Sequence, residues 1–363
     1  MTPLITMAAA LLSVASLLLL PNLSYAFAPP SPHPFCHHRS KVFPQLQPKL
    51  ERSSHTTSLQ LYNKFHEYAW EKLHYNDESS TICTVPDNLK TNKSPVKGSD
   101  NNVVACIRSI SEFSNSKTTL DDKSNNVEAL RLARSAFLET QTNSSEALIS
   151  PMAIHVLNFV MFPTPHIRHA SSSSAHVGLP IFGADIVSLP GNKHLVALDF
   201  QPVLPLNNED ELSAKLFPEK YSHLETKLLD IHAKYQQGTD DTTEPLLPWG
   251  GDIPPQAMRW FSPYALWTRL GDENAMQTVS TTVWDAYREY VDLYFELMDA
   301  VQEDLNNGEF KIIPEEENNP VLSGQREYLE YRRMNDPARP MLQRLYGKDW
   351  AEELINGVLF PTI

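Results

Sequence analysis

The chain has 363 residues, of which 41% are hydrophobic and 20% charged, so it has enough apolar residues for a large core. This composition excludes a collagen, a coiled coil and a wholly disordered protein. Thirty basic against 44 acidic side chains give a net charge of −14 at pH 7, which excludes a protein that coats nucleic acid, because phosphate binding requires clustered Lys and Arg.

The first 26 residues contain no Lys, Arg, Asp or Glu, and an apolar run from Ala8 to Leu20 is followed by small residues up to Ala26. This pattern predicts a signal peptide over residues 1–26, with a membrane anchor as the alternative. Residues 27–58 are rich in Ser, Pro and His and carry four basic residues against one acidic, which is typical of a transit peptide. We therefore expect a bipartite presequence for a plastid stroma and a single folded domain, residues 59–363, with a charge of −17.

The predicted domain begins with a helix and continues into strands. Apolar residues recur at helical spacing from Leu61 to Leu73, whereas residues 76–102 are polar and predict a loop. His155–Phe162 has apolar residues on both faces of a β-strand. A Ser- and His-rich insertion, Thr164–Gly178, follows, and its composition predicts a surface loop.

Two further strands and then helices complete the pattern. Ile181–Leu189 and His194–Phe200 are separated by the turn Pro190–Lys193, in which Gly and Asn tolerate positive φ, so we expect an antiparallel pair. Apolar stripes over Leu224–Tyr235 and Met276–Ala300 predict two helices. Strands in the middle and helices around them predict one α+β domain with an antiparallel sheet.

Four polar residues stand at unexpected places. Asp185 and Asp199 interrupt apolar strands, where burial favours a protonated carboxyl that can act as a general acid. The alternative is a structural carboxylate bonded to backbone amides, which the strand pattern alone favours for both residues and more strongly for Asp199. Asn158 interrupts another strand, either as a ligand contact or as a satisfied core amide. Asp336 precedes a proline, which predicts a helix N-cap.

Aromatic residues and one cation cluster between residues 249 and 269. Trp249 is followed by two glycines, Trp260 lies nearby in the sequence, and Trp267 is followed two residues later by Arg269. This combination suits a flat, anionic, aromatic ligand, and core aromatics beside a snorkelling arginine are the alternative. The three cysteines have neither the spacing of a metal site nor that of a disulfide framework.

Five segments, taken in order, resemble the ferredoxin-dependent bilin reductases. They are Leu157–Pro163, Leu179–Asp185, Leu198–Pro202, Phe261–Pro263 with Leu266–Arg269, and Asn335–Arg339. The resemblance covers approximately residues 60–363. It is specific because several separate motifs agree in their order along the chain.

The resemblance implies a three-layer α/β/α sandwich with a central antiparallel sheet and an open-chain tetrapyrrole held between sheet and helices. It implies no metal and no bound cofactor, because reduced [2Fe-2S] ferredoxin supplies single electrons and the bilin passes through radicals. Asp185 and Asp336 match acidic positions of the family, which implies that both are catalytic and handle protons. Asn158, at the pyrrole region, and Arg269, at a propionate, are the implied substrate-binding residues.

The residue at position 158 bears on the reaction. The phycocyanobilin-forming branch has His there, and Asn158 resembles the branches that form phycoerythrobilin or phytochromobilin. Pro180–Val187 and Phe261–Leu270 favour the phycoerythrobilin-forming branch, which implies reduction of the A-ring diene of 15,16-dihydrobiliverdin. A biliverdin-reducing member that makes phytochromobilin or 15,16-dihydrobiliverdin, and a non-catalytic bilin carrier, are the alternatives.

The expected partners are ferredoxin, a bilin, and a bilin-transferring enzyme or lyase; we expect neither nucleic acid nor, for the mature form, a membrane. Plant-type ferredoxins are acidic, so docking on an acidic protein requires a local basic patch. Five arginines cluster in the sequence near Asp336 and form the predicted docking patch: Arg326, Arg332, Arg333, Arg339 and Arg344.

Overall fold

The computed structural model describes residues 58–73, 85–96, 101–110, 129–141, 154–172, 176–205, 215–237, 244–314 and 319–363. The predicted signal peptide and residues 27–57 of the transit-like segment lie outside these ranges. Among the described helices, none has the length and apolarity needed to cross a membrane.

Nine strands and nine helices are described in these ranges. The strands are β1 (Thr91–Pro95), β2 (Asn102–Ile110), β3 (Leu130–Gln141), β4 (His155–Pro163), β5 (Ile167–His169), β6 (Ile181–Leu189), β7 (Lys193–Gln201), β8 (Leu266–Leu270) and β9 (Phe310–Ile312). The helices are α1 (Ser58–Lys72), α2 (Asp87–Lys90), α3 (Ser222–His232), α4 (Pro255–Met258), α5 (Ala275–Thr278), α6 (Trp284–Asn306), α7 (Pro320–Asn335), α8 (Arg339–Tyr346) and α9 (Lys348–Leu354). Short π-helical turns follow α3, α5 and α9, at Ala233–Gln237, Val279–Val283 and Ile355–Leu359.

Seven strands form the central sheet in the order β1-β2-β3-β4-β6-β7-β8, and every neighbouring pair is antiparallel. The predicted strands are confirmed as β4, β6 and β7, with bounds within one residue of those expected. The turn between β6 and β7 has positive φ at Gly191 (83°) and Asn192 (56°), as its sequence predicted.

The two faces of the sheet are covered by different helices. On one face, Phe182 and Phe200 pack against Tyr294 of α6, and α1 and α3 belong to the same layer. On the other face, Phe162 packs against Tyr328 of α7, and α8 and α9 complete that layer. Alternation of side chains along each strand therefore produces two cores, and the predicted α/β/α sandwich with a central antiparallel sheet is confirmed.

Two predicted loops contain regular structure. Residues 76–102 include α2 and β1, and their polar composition reflects the fact that β1 is an edge strand with mostly accessible side chains. The insertion Thr164–Gly178 contains β5, which pairs with β9 in a separate two-stranded sheet. Ile167 and Val177 in this insertion are buried against the α6 core, so the prediction of a surface loop is wrong for that part.

Helix α7 is held unusually close to the sheet. The Asn319 side chain caps it by accepting from Val321 N (3.0 Å) and Leu322 N (3.1 Å), and Gln325 Nε2 donates to Pro163 O (2.8 Å). A Cβ on Gly324 would lie 1.8 Å from the backbone oxygen of Val203, so only glycine fits at this contact. These contacts determine which face of α7 points toward the cavity between this helix and the sheet.

Candidate active site

A cavity of about 470 Å³ lies between the sheet and the layer of α4, α7 and α8. Its walls are mainly apolar and aromatic, as is usual for sites that bind small molecules. All four predicted site residues line it: Asn158, Asp185, Arg269 and Asp336. The resemblance implied that these residues act on one ligand, and the register of the sheet explains how two of them come together.

The register places Asn158 of β4 directly opposite Asp185 of β6. Both side chains point to the cavity face, and Asn158 Nδ2 donates a hydrogen bond to Asp185 Oδ1 at 2.5 Å. The Asp185 side chain is 38% accessible, so the expectation that this carboxylate is buried is wrong. Asn158 and Asp185 therefore form one polar unit on an otherwise apolar wall.

A buried arginine and a partly buried one flank this unit. Arg134 of β3 donates from Nη1 to Asn158 Oδ1 at 2.9 Å. Arg332 of α7 places Nη2 3.5 Å from Asp185 Oδ2. Both guanidinium groups also lie over the ring of Phe360, at 4.6 Å for Arg134 and 5.3 Å for Arg332. The charged groups thus form a continuous row from β3 across β4 and β6 to α7.

Asp336 follows the last residue of α7 and is 8% exposed. Its Oδ1 accepts a hydrogen bond from Ala338 N at 2.8 Å, and this bond closes the turn between α7 and α8. Because α8 begins only at Arg339, the prediction that Asp336 is a helix N-cap is wrong. Burial raises the pKa of Asp336 above its usual value, although the nearby Arg332 guanidinium opposes this shift. Asp336 therefore holds a proton more readily than an exposed carboxyl.

Arg269 lies on β8 at the exposed rim of the cavity. Its guanidinium stands over the ring of Trp267 at 5.2 Å, and Trp267 Nε1 donates to Gly251 O at 2.9 Å. Trp260 is buried in the cavity wall, whereas Trp249 is 53% exposed. The predicted aromatic cluster is thus divided: Trp260 belongs to the cavity wall, Trp267 lies with Arg269 at the rim, and Trp249 is exposed.

Asp199 has the structural contacts that we favoured for it. Its carboxylate accepts hydrogen bonds from Ser262 N (3.0 Å) and Ser262 Oγ (2.5 Å), which tie the end of β7 to the segment before β8. Burial raises the pKa of Asp199 to about 7, and the bonds from Ser262 oppose this shift. Asp199 is not among the residues that line the cavity.

The predicted docking patch is only partly a surface feature. Arg332 faces the cavity, so its assignment to the patch is wrong; helical spacing places it on the same side of α7 as Tyr328. Arg333 donates from Nε to Phe360 O (3.1 Å) and pairs with Glu330, while Arg339 pairs with Glu352. The paired arginines serve the packing of α7 to α9.

Among the residues that the structure describes, no group of three or more His, Cys, Asp or Glu side chains is arranged to hold a metal ion. The polar groups that line the cavity include carboxyl groups, amides and guanidinium groups. Asp185 and Asp336 can exchange protons with a ligand, and Arg134 and Arg332 supply positive charge beside them.

Comparisons with known proteins identify what this arrangement resembles. The family model of the ferredoxin-dependent bilin reductases matches residues 90–361. Phycoerythrobilin:ferredoxin oxidoreductase of Prochlorococcus marinus (strain MIT 9211) is 36% identical over 252 residues, which are 69% of this chain and 83% of that protein. The protein of the same name from Synechococcus sp. (strain CC9902) is 38% identical over 210 residues, 57% of this chain and 66% of that protein.

Among solved structures, the crystal structure of SeMet-phytochromobilin synthase from tomato in complex with biliverdin matches with a TM-score of 0.49 and 20% identity, covering 82% of both chains. The two relatives above come from cyanobacteria, which have no chloroplasts and no transit peptides. By this comparison the plastid location predicted from residues 1–58 is wrong.

Proposed function

The chain belongs to the ferredoxin-dependent bilin reductases, and from this premise we propose that it reduces 15,16-dihydrobiliverdin to phycoerythrobilin. The family makes the chain an enzyme that reduces a bilin with electrons from ferredoxin, so the hypothesis of a non-catalytic carrier is set aside. The choice of substrate and product is supported by relatives named for phycoerythrobilin and by the resemblance of Pro180–Val187 and Phe261–Leu270 to the phycoerythrobilin-forming branch, whereas Asn158 fits that branch and the phytochromobilin-forming one equally.

The proposed reaction adds two electrons and two protons to the A-ring diene. Reduced ferredoxin carries a single electron, so two ferredoxins are oxidised for each bilin and the bilin is a radical after the first electron. Each electron increases the negative charge on the tetrapyrrole and makes it more basic. The enzyme therefore has to supply protons at two stages without admitting bulk water freely.

Asp336 and Asp185 are the proposed proton donors. Asp336 is buried in the cavity wall and burial raises its pKa, so it holds a proton more readily than an exposed carboxyl and can release it to a basic intermediate. Asp185 faces the open part of the cavity between Asn158 and Arg332, where it can exchange a proton with substrate. The presence of these two carboxyl groups in one apolar cavity is the observation that carries the proposal.

Substrate binding is proposed to use Asn158 and Arg269. Asn158 lines the cavity beside Asp185 and can donate to a pyrrole-region acceptor. Arg269 offers a cation at the rim, where a propionate of the bilin could remain in contact with water. A bilin-transferring enzyme or lyase that receives the product remains a prediction.

An anaerobic assay with reduced ferredoxin tests this function. We expect conversion of 15,16-dihydrobiliverdin to phycoerythrobilin, followed by absorbance and by chromatography of the product. Asp185→Asn and Asp336→Asn should each lower turnover by about 100-fold or more, because a positioned general acid contributes about 10²–10⁴-fold. Both variants should still bind the bilin, since the amide keeps the shape of the carboxyl.

Asp230→Asn is the matched control, because Asp230 is exposed on α3, on the opposite face of the sheet from the cavity. Full turnover by the Asp185 and Asp336 variants would refute their catalytic roles. Conversion of biliverdin but not of 15,16-dihydrobiliverdin would favour the phytochromobilin-forming or 15,16-dihydrobiliverdin-forming alternative. Absence of any bilin conversion by the wild type would refute the proposed function itself.

A further inference from the structure

Arg134 is completely buried, although it lies outside the set of residues that line the cavity. Its Nη1 donates to Asn158 Oδ1, and its guanidinium packs on Phe360. Its Nε and Nη2 are buried and have no hydrogen-bond partner among the described residues. Burying a charged group in this way is costly, so a physical reason for its position is needed.

The contact with Asn158 supplies such a reason, because it defines which way the amide points. The amide oxygen can only accept and the amide nitrogen can only donate. Arg134 offers only donors, so the oxygen must face Arg134 and Nδ2 must face Asp185, as observed. In the flipped orientation, Nδ2 would face a donor and the oxygen would face a carboxylate, and both hydrogen bonds would be lost.

Asp185 alone cannot maintain this orientation during catalysis. As a carboxylate it accepts from Asn158, but once it takes up a proton its hydroxyl can donate, and an amide held only by Asp185 is then free to flip. Arg134 does not change in this way: burial lowers its pKa to about 10, which still leaves the guanidinium charged at neutral pH. The amide oxygen of Asn158 therefore has a partner that stays charged, Arg134, and the amide nitrogen has a partner that exchanges a proton in the proposed reaction, Asp185.

We propose that Arg134 is a positioning residue that keeps the Asn158 amide in one orientation through the protonation and deprotonation of Asp185. The proposal rests on the proposed proton chemistry of Asp185. It goes beyond that chemistry by assigning a function to a buried cation that does not line the cavity. Its consequence is that the hydrogen-bond donor offered to the bilin at Asn158 stays the same at each reduction step.

The test compares Arg134→Met and Arg134→Lys with the wild type in the anaerobic assay. Arg134→Met should lower kcat by about 10- to 100-fold, as is typical when a residue that orients an active-site group is removed, while the bilin dissociation constant stays within about 3-fold. Arg134→Lys keeps a charged donor and should recover most of the lost rate. Arg108→Met is the matched control, because Arg108 is on the neighbouring strand β2 and bonds instead to Glu67 of α1, on the opposite face of the sheet, at 3.0 and 3.2 Å.

A double-mutant cycle with Asn158→Leu separates positioning from a general structural effect. If Arg134 acts through the amide, Arg134→Met should cost less than about 2-fold in the Asn158→Leu background, whereas independent effects would multiply. Multiplying effects, or unchanged kcat in Arg134→Met, would overturn the proposal. If the urea midpoint shows that Arg134→Met does not fold, the same cycle is run with Arg134→Lys. Arg134→Gln then serves as the uncharged comparison, and equal kcat values for Arg134→Lys and Arg134→Gln would overturn the proposal. Failure of the wild type to turn over any bilin would instead refute the proposed function.

Discussion

Gly324 is the point at which the packing of α7 is most sensitive to a single methyl group. Gly324→Ala would place a Cβ 1.8 Å from Val203 O, and ordinary contact requires about 3.4 Å, so helix and strand end must separate by about 1.6 Å. Helix propensity alone would favour alanine by about 1 kcal/mol. Overpacking of a tight contact costs about 1–3 kcal/mol, and here the obstacle is backbone that cannot rotate away. The upper part of this range, about 2–3 kcal/mol, less about 1 kcal/mol for helix propensity, gives an expected net loss of about 1–2 kcal/mol in the free energy of unfolding.

The same displacement should reach the active site. Arg332 lies two helical turns beyond Gly324 on the same side of α7, and Asp336 follows the end of the helix. Because a misplacement of about 1 Å can reduce a rate by about 100-fold, we expect Gly324→Ala to lower turnover far more than its stability loss alone would.

Urea unfolding and the anaerobic bilin assay measure the two effects separately. Ser323→Ala is the control, because Ser323 is the exposed neighbour in the same turn of α7 and should change stability by less than about 0.5 kcal/mol. A Gly324→Ala protein with an unchanged urea midpoint and unchanged turnover would refute the inference that α7 is held against Val203. Lost stability with normal turnover would refute only the coupling to the site.

Two further predictions concern the opposite face of the sheet. Ile167 is fully buried in the insertion, so Ile167→Ala should lower the free energy of unfolding by about 2–5 kcal/mol. Ser171 is exposed in the same insertion, so Ser171→Ala should leave the free energy of unfolding unchanged. Equal urea midpoints for the two variants would contradict the burial of Ile167. Burial lowers the pKa of His194 to about 4, so the unfolded chain binds its proton more tightly and this histidine's contribution to stability should be lost as pH falls from about 6.5 to about 4. Urea midpoints at several pH values should show a weaker acid dependence in His194→Gln, and an unchanged slope would contradict this prediction.

The sequence was most informative where alternation is strict. The parity of residues along β4 and β6 placed Asn158 and Asp185 on strand faces, and the turn at Gly191 predicted the pairing of β6 with β7. It could not show that Asn158 and Asp185 oppose each other directly, because the register of β4 with β6 depends on the path of the 17 residues between them.

The two active-site arginines were missed for different reasons. Arg134 interrupts an apolar stretch, which is the same signal that identified Asp185. Because no strand is predicted over β3, the sequence did not place Arg134 on a face of the sheet. Arg332 was assigned to the predicted docking patch because of its charge and its neighbours in the sequence. Its spacing of four from Tyr328 was the available signal that these two residues share one side of α7.

Phe360, which contacts both Arg134 and Arg332, lies beyond the last helix. Strands from the middle of the chain and residues near position 360 therefore line the same cavity, whose lining extends along the sequence from Ala136 to Phe360. A protein clipped between β8 and α7 would retain most of its sheet but would have no pocket. We therefore expect bilin binding to be linked to the attachment of the C-terminal layer: occupancy should stabilise the intact fold by mass action and should protect this layer from proteases.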